Sequence, residues 1–178
     1  MFQVTFRKRV VMVLSIAGGL AVLAAATLGF GFDVRIVQMK DQCDPTSFNA
    51  AIGPGTCVGH NGGVSFDTFL SVLRRTQRFG AWHFAPREVR LHDGQPFQAR
   101  NDGGEAHTFT EVDEFGGGIV PLLNQLSGNP EPAPECLQLG RGDFIAPGDS
   151  TEPEVESRGT HHYQCCIHPW MRADVTVQ

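Results

Sequence analysis

The residues best placed to do chemistry lie in one run near the C-terminus, Tyr163-Gln164-Cys165-Cys166-Ile167-His168-Pro169-Trp170-Met171. Cys165, His168 and Met171 put a thiolate, an imidazole and a thioether into seven residues, spaced Cys-x-x-His-x-x-Met. That mixture of soft and borderline donors suits copper that cycles between Cu(I) and Cu(II), with the thioether as a weak axial ligand. A trigonal site also needs a second imidazole, which can come from elsewhere in the chain. His107 is the candidate. It follows the turn-rich loop Asn101-Asp102-Gly103-Gly104-Glu105-Ala106 and leads into Thr108-Phe109-Thr110. Four protein donors leave no open position for a substrate, which argues against copper catalysis.

The loop Cys165-x-x-His168-x-x-Met171, preceded by Tyr163, resembles the ligand loop of the cupredoxins, and its short His-x-x-Met gap is most similar to the amicyanin version. The stretch from Asn101 through His107 to Thr110 is similar to the first-ligand region of that family. So is Trp82-His83-Phe84-Ala85-Pro86 with the segments that follow it, and the resemblance covers about residues 81 to 178. It implies one mononuclear type 1 copper held by His107, Cys165, His168 and Met171. It also implies one-electron transfer to a redox partner protein, with copper storage, sensing or delivery to an acceptor as the alternative. The departure from the family pattern is Cys166, a second thiol beside the proposed ligand.

Each of these residues has a blander reading. A lone exported Cys is often half of a disulfide, a lone Met often fills a core gap, and a lone loop His is usually just polar. Ligand spacing lifts Cys165, His168 and Met171 above that level. His161 and His162 are adjacent and point apart in a strand, and His60, His83 and His92 lack partner spacing, so all five stay outside the proposed site. Pro169 and Trp170 are expected to stiffen the loop and shield the metal. Thr108 is a candidate to tie the two ligand loops by a hydrogen bond. The chain has no His-x-His cluster of the multicopper enzymes. A dinuclear copper centre needs two Cys three residues apart, whereas Cys165 and Cys166 are neighbours. The reading is therefore of a non-enzyme with one copper.

The elements that must hold this set read as all-β, a Greek-key sandwich. Period-2 alternation recurs at Val89/Leu91, Phe97/Ala99, Thr108/Thr110 and Val175/Val177, with turns at Asp93-Gly94 and Asp102-Gly103-Gly104. Phe144 to Gly148 reads as strand then turn, and 111–150 otherwise as a long loop with one helical turn. Before the sandwich, Phe66, Phe69, Leu70 and Leu73 fall at i, i+3, i+4 and i+7 of a helix over Val64 to Thr76, capped by Ser65 and ended by Gly80. That apolar stripe is expected to pack on the sandwich outside the metal site. The organisation is a hydrophobic N-terminal segment (1–32), an aperiodic arm with a disulfide loop and the amphipathic helix (33–80), and the cupredoxin-like domain (81–178).

The N-terminal segment pairs Arg7-Lys8-Arg9 with an apolar run from Val10 to Phe32 whose only polar side chains are Ser15 and Thr27. It reads as a secretory signal cleaved near Ala24-Ala25-Ala26 or as a membrane anchor, and both export the domain. Removing residues 1–26 leaves 11 Lys and Arg against 19 Asp and Glu, a shift in net charge from −5 to −8. So acidic a domain is a poor nucleic-acid binder. It suits a soluble carrier, or docking to a basic surface. The expected location is periplasmic or otherwise extracytoplasmic. Five cysteines in an oxidising compartment leave one over. With Cys165 on copper, the remaining four are expected to pair as Cys43–Cys57 and Cys136–Cys166, the second because neighbours in a strand face opposite ways.

Overall fold

A computed structural model describes residues 33–59 and 63–178. The signal or anchor expected in 1–32 lies outside the described residues, as does His60. Among the described residues no helix is long and apolar enough to cross a membrane.

Among the described residues, seven strands form two sheets. The first, in order β2-β1-β4, consists of β1 (Arg35–Lys40), β2 (His83–Ala85) and β4 (Phe97–Asn101). The second, in order β3-β7-β6-β5, consists of β3 (Glu88–Leu91), β5 (Thr110–Val112), β6 (Gly159–Gln164) and β7 (Arg172–Val177). Pairing is mixed: β1 runs parallel to β4 and β3 parallel to β7, while β1–β2, β5–β6 and β6–β7 are antiparallel. Alternation decides which face is buried. Val37 and Met39 of β1, Phe97 and Ala99 of β4, Val89 and Leu91 of β3, and Ala173, Val175 and Val177 of β7 all belong to one core. Tyr163 of β6 stacks on Phe109 at 4.4 Å between ring centroids and donates its hydroxyl to Glu156 at 2.8 Å, so its polar end stays satisfied.

The arm at 33–80 contributes to the sandwich directly. β1 is the central strand of the first sheet, so a strand that the aperiodic reading of 33–63 missed precedes the helix. Its sequence, Arg35-Ile36-Val37-Gln38-Met39-Lys40, puts apolar side chains on both faces and blurs the alternation. Then come α1 (Pro45–Ala51) and α2 (Phe66–Thr76). Asp44 caps α1 by accepting from Ser47 N, and Ser65 caps α2 by accepting from Thr68 N. α2 stops at Gln77 rather than at Gly80. Gln77 takes the left-handed conformation (φ 59°), and its N–H bonds to the Leu73 carbonyl.

The long stretch after β5 holds α3 (Pro121–Leu126) and two short 3-10 turns. The expected strand at 144–148 reduces to one bridge, in which Ile145 and His107 exchange backbone hydrogen bonds of 2.8 and 3.1 Å. Thr108 likewise precedes β5 instead of lying in it. The Gly116–Gly118 run has a packing role. Gly118 lies against the Cys166 carbonyl so closely that a Cβ there would clash with it. Both expected disulfides form, Cys43–Cys57 and Cys136–Cys166, and Cys165 is the one free cysteine.

Candidate metal centre

Cys165 follows directly on β6, His168 sits in the turn, and Met171 precedes β7. The loop closes on itself: Cys165 N donates to Met171 O at 3.0 Å and Met171 N to His168 O at 2.8 Å. Arg172 Nε holds the Pro169 carbonyl at 2.8 Å. On the other side of the site, His107 is fixed by its bridge to Ile145. Thr108 links the two loops, because its N–H points at Cys165 Sγ (3.4 Å) and its hydroxyl accepts from Cys166 N (2.8 Å). The neighbouring thiols point apart although both lie just past the end of β6: Cys165 lies in the main core, and Cys166 turns to Cys136 in a smaller cluster with Val112 and Ala133.

The fold brings three of the predicted residues together at donor distance. Cys165 Sγ lies 3.8 Å from His107 Nδ1 and 3.8 Å from His168 Nδ1. Metal–ligand bonds of about 2.0–2.3 Å at trigonal angles place donor atoms about 3.7 Å apart. His107, Cys165 and His168 thus form a set with the spacing and buried position of metal ligands. Met171, fully buried, belongs to the same core and is bonded to the loop through both its backbone groups.

The imidazoles present Nδ1 to the sulfur because each Nε2 faces a carboxylate. His107 Nε2 lies 2.9 Å from Asp41 Oδ2, and His168 Nε2 lies 3.6 Å from Glu105 Oε2. At His107 the hydrogen-bonded carboxylate keeps the proton on Nε2 and leaves the Nδ1 lone pair for a metal, whereas the Glu105 carboxylate stands beyond hydrogen-bond distance of His168 and acts on it by charge alone. Trp82 Nε1 holds the same Glu105 oxygen at 2.7 Å. Asp41 is held in turn by the N–H groups of Cys43, Gly104 and Glu105. Gly103 also approaches it so closely that a Cβ would overlap the carboxylate.

These contacts shape the charges. Burial alone would raise Asp41, but the hydrogen bond from His107 and the backbone donors outweigh it and bring it down to about 2. Burial alone would lower His107, but Asp41 and Cys165 raise it to about 9. Burial opposes ionisation of Cys165, yet His107 and His168 hold the thiol well below its ordinary range. Burial raises Glu105, with His168 and Trp82 opposing. A buried thiolate between two imidazoles is a poor arrangement for a structural core and a good one for a soft metal ion.

Sequence reasoning did not single out Asp41, Glu105, Trp82 or Phe69 as parts of the site. Phe69 corrects the expectation that α2 packs outside the site, since its ring meets that of His168 edge-on at 6.3 Å between centroids. Trp170 meets the same imidazole at 5.5 Å. The set-aside histidines among the described residues lie outside this donor set. His161 pairs with Glu111 and His162 with Asp174, each at 2.7 Å.

Two facing sheets, with a Cys-x-x-His-x-x-Met loop joining the last two strands, define a cupredoxin-like β-sandwich. Among solved structures the chain is similar to a purple cupredoxin from Nitrosopumilus maritimus, at 17% identity and TM-score 0.44, over 81% of this chain and 99% of that one. It is also similar to amicyanin from Paracoccus versutus, at 21% identity and TM-score 0.36, over 54% of this chain and 73% of that one. A methionine-to-alanine mutant of amicyanin in its Cu(I) form aligns at 18% identity and TM-score 0.36, over 54% and 73%. No family model and no curated protein matches the sequence. Likenesses this distant carry no ligand across to this chain; its own donor atoms must identify one.

Proposed function

We propose that this protein is an exported, mononuclear type 1 copper protein that carries one electron at a time, with His107, Cys165, His168 and Met171 as ligands. The observation that carries this reading is the free, buried thiol of Cys165 at 3.8 Å from two imidazole nitrogens. A thiolate, two imidazoles and a thioether make a soft-to-borderline donor set suited to copper rather than to a hard cation. Bound copper would supply the one-electron couple. The chain holds its donors in fixed places through Thr108, the Ile145 bridge, Asp41, Glu105 and the Cys136–Cys166 disulfide. Fixed donors move little when the charge of the centre changes. The two disulfides support an oxidising, extracytoplasmic location.

Copper storage or delivery would use the same ligands. Burial favours the carrier: His168 is 2% exposed and His107 and Cys165 are fully buried, so metal exchange must wait for the cover to open. Electrons cross such a cover without it moving. A catalytic role is disfavoured because no donor position is left for a substrate.

The test is to add Cu(II) to the purified protein and to record the visible and EPR spectra. An intense thiolate-to-copper band is expected, absent in Cys165→Ser, with reversible one-electron reduction. A protein that binds copper without that band would overturn the assignment. Irreversible reduction with ready transfer to a chelator would favour delivery.

A further inference from the structure

His168 is buried, and the rings that cover it are Phe69 and Trp170, with Phe79 and Trp82 packed on Phe69. Trp170 is the one of these closest to both His168 and open solvent. It is half-buried, and it lines a cavity of about 290 Å³ together with Thr76, Gln77, Arg78, Ser127, Asn129 and Arg172. Among the described residues, the charged side chains lining this cavity are Arg78 and Arg172. The sequence has 19 acids against 14 bases, yet no carboxylate lines this concavity.

Neither arginine is neutralised. Among the described residues, Arg78 and Arg172 take part in no ion pair. Arg172 is fixed by neutral acceptors, the carbonyls of Pro169 and Gly116 and the Asn129 amide oxygen at 2.8 Å, and lies over the Phe115 ring. Arg78 is exposed at the end of α2. Arg74 and Arg75, in the last turn of α2, extend the basic character along the same element, again without ion pairs among the described residues. A cationic mouth, one arginine of it held in place, beside the ring that meets the buried His168 is a site for approach by negative charge.

We propose that this concavity is the docking face for a redox protein whose surface is acidic around its own centre. The proposal rests on the electron-carrier reading above. Docking there brings the partner's centre to the outer edge of Trp170, one ring away from His168. Copper held by His168 would exchange its electron with the partner's centre across that ring. Trp170 is itself neither oxidised nor reduced, and no proton or bond moves.

The test has two arms. In the metal-free full chain, paramagnetic hexacyanochromate(III) should broaden the Trp170 indole NMR signal, an effect lost in Arg78→Glu and kept in Arg90→Glu. Broadening that ignores Arg78→Glu overturns the docking face. The second arm uses the copper-loaded full chain, reduced to Cu(I), with ferricyanide as anionic and tris(phenanthroline)cobalt(III) as cationic oxidant, mixed by stopped flow. Arg78→Glu is compared with Arg90→Glu, which makes the same charge change at an exposed position in β3. If the concavity is the route, Arg78→Glu slows ferricyanide roughly tenfold, a loss that added salt narrows, while Arg90→Glu changes it less than about twofold. The cobalt reagent is not slowed by either. Equal effects of the two substitutions on ferricyanide overturn the docking face while leaving the electron-carrier reading intact. Failure of the copper to cycle with either oxidant overturns both.

Discussion

The Nε2 atom of His107 and the Oδ2 atom of Asp41 lie 2.9 Å apart with both side chains sealed from solvent. This contact joins the end of β1 to the loop before β5, across 66 residues of sequence. It fixes which imidazole nitrogen faces Cys165.

Asp41→Ala should therefore weaken the site without touching a ligand. Loss of such an outer contact typically costs about 10–100-fold in metal affinity. Stability should fall as well, because each buried donor left unpaired costs about 1–3 kcal/mol and Asp41 accepts from the backbone N–H groups of Cys43, Gly104 and Glu105 besides His107. Competition with a copper chelator and urea unfolding of the metal-free protein measure the two. Unchanged affinity would show that the bridge to Ile145 alone positions His107.

Phe69→Ala removes the ring that α2 lays on His168. Truncating a buried Phe costs about 3–5 kcal/mol, which urea unfolding reads. Copper should then leave to a chelator several-fold faster than from the wild type, while the thiolate-to-copper band persists. Release at the wild-type rate would mean that α2 is not the cover that governs exchange.

The double substitution Cys136→Ala/Cys166→Ala should keep the visible band, because Cys166 faces away from the donor set. Losing the cross-link, which spans 30 residues, should cost about 2–4 kcal/mol. Thiol titration of the unfolded, non-reduced, metal-free wild type should find one free thiol. Three or five would contradict the pairing.

His161 contributes a pH dependence away from the Cys165–Met171 loop. Hydrogen bonding to Glu111 raises its pKa above the ordinary 6.5, against a smaller effect of burial, helped by the Ser157 carbonyl and Glu156. A raised pKa means that the folded state holds the proton more tightly. Its contribution is complete below about pH 6.5 and fades as pH climbs through the raised value. Urea midpoints measured between about pH 6 and 8.5 should fall for the wild type relative to His161→Gln; parallel profiles would remove the ion pair from the account.

Much of the candidate site was legible because most of its proposed donors are close in sequence. Cys165, His168 and Met171 share one loop, so spacing alone relates them, and His107 is marked by the turn-and-strand context around it. The disulfides were legible once Cys165 was set aside, because four thiols remained and Cys166 had to face away from it. β1 was not legible, since a strand with apolar side chains on both faces shows little alternation. The amphipathic stripe of α2 announced a buried face, but a stripe carries no record of what it will be buried against.

What the sequence determined by itself is the donor chemistry, since a thiolate, an imidazole and a thioether at fixed spacing keep their ligand preferences in any fold. Only the tertiary structure decided the surroundings of that chemistry. Asp41 and Glu105 reach the two imidazoles, and Phe69 covers one of them, through chain crossings between β1, α2 and the loop before β5. No local pattern encodes a contact between residues dozens of positions apart, because it depends on how whole elements pack.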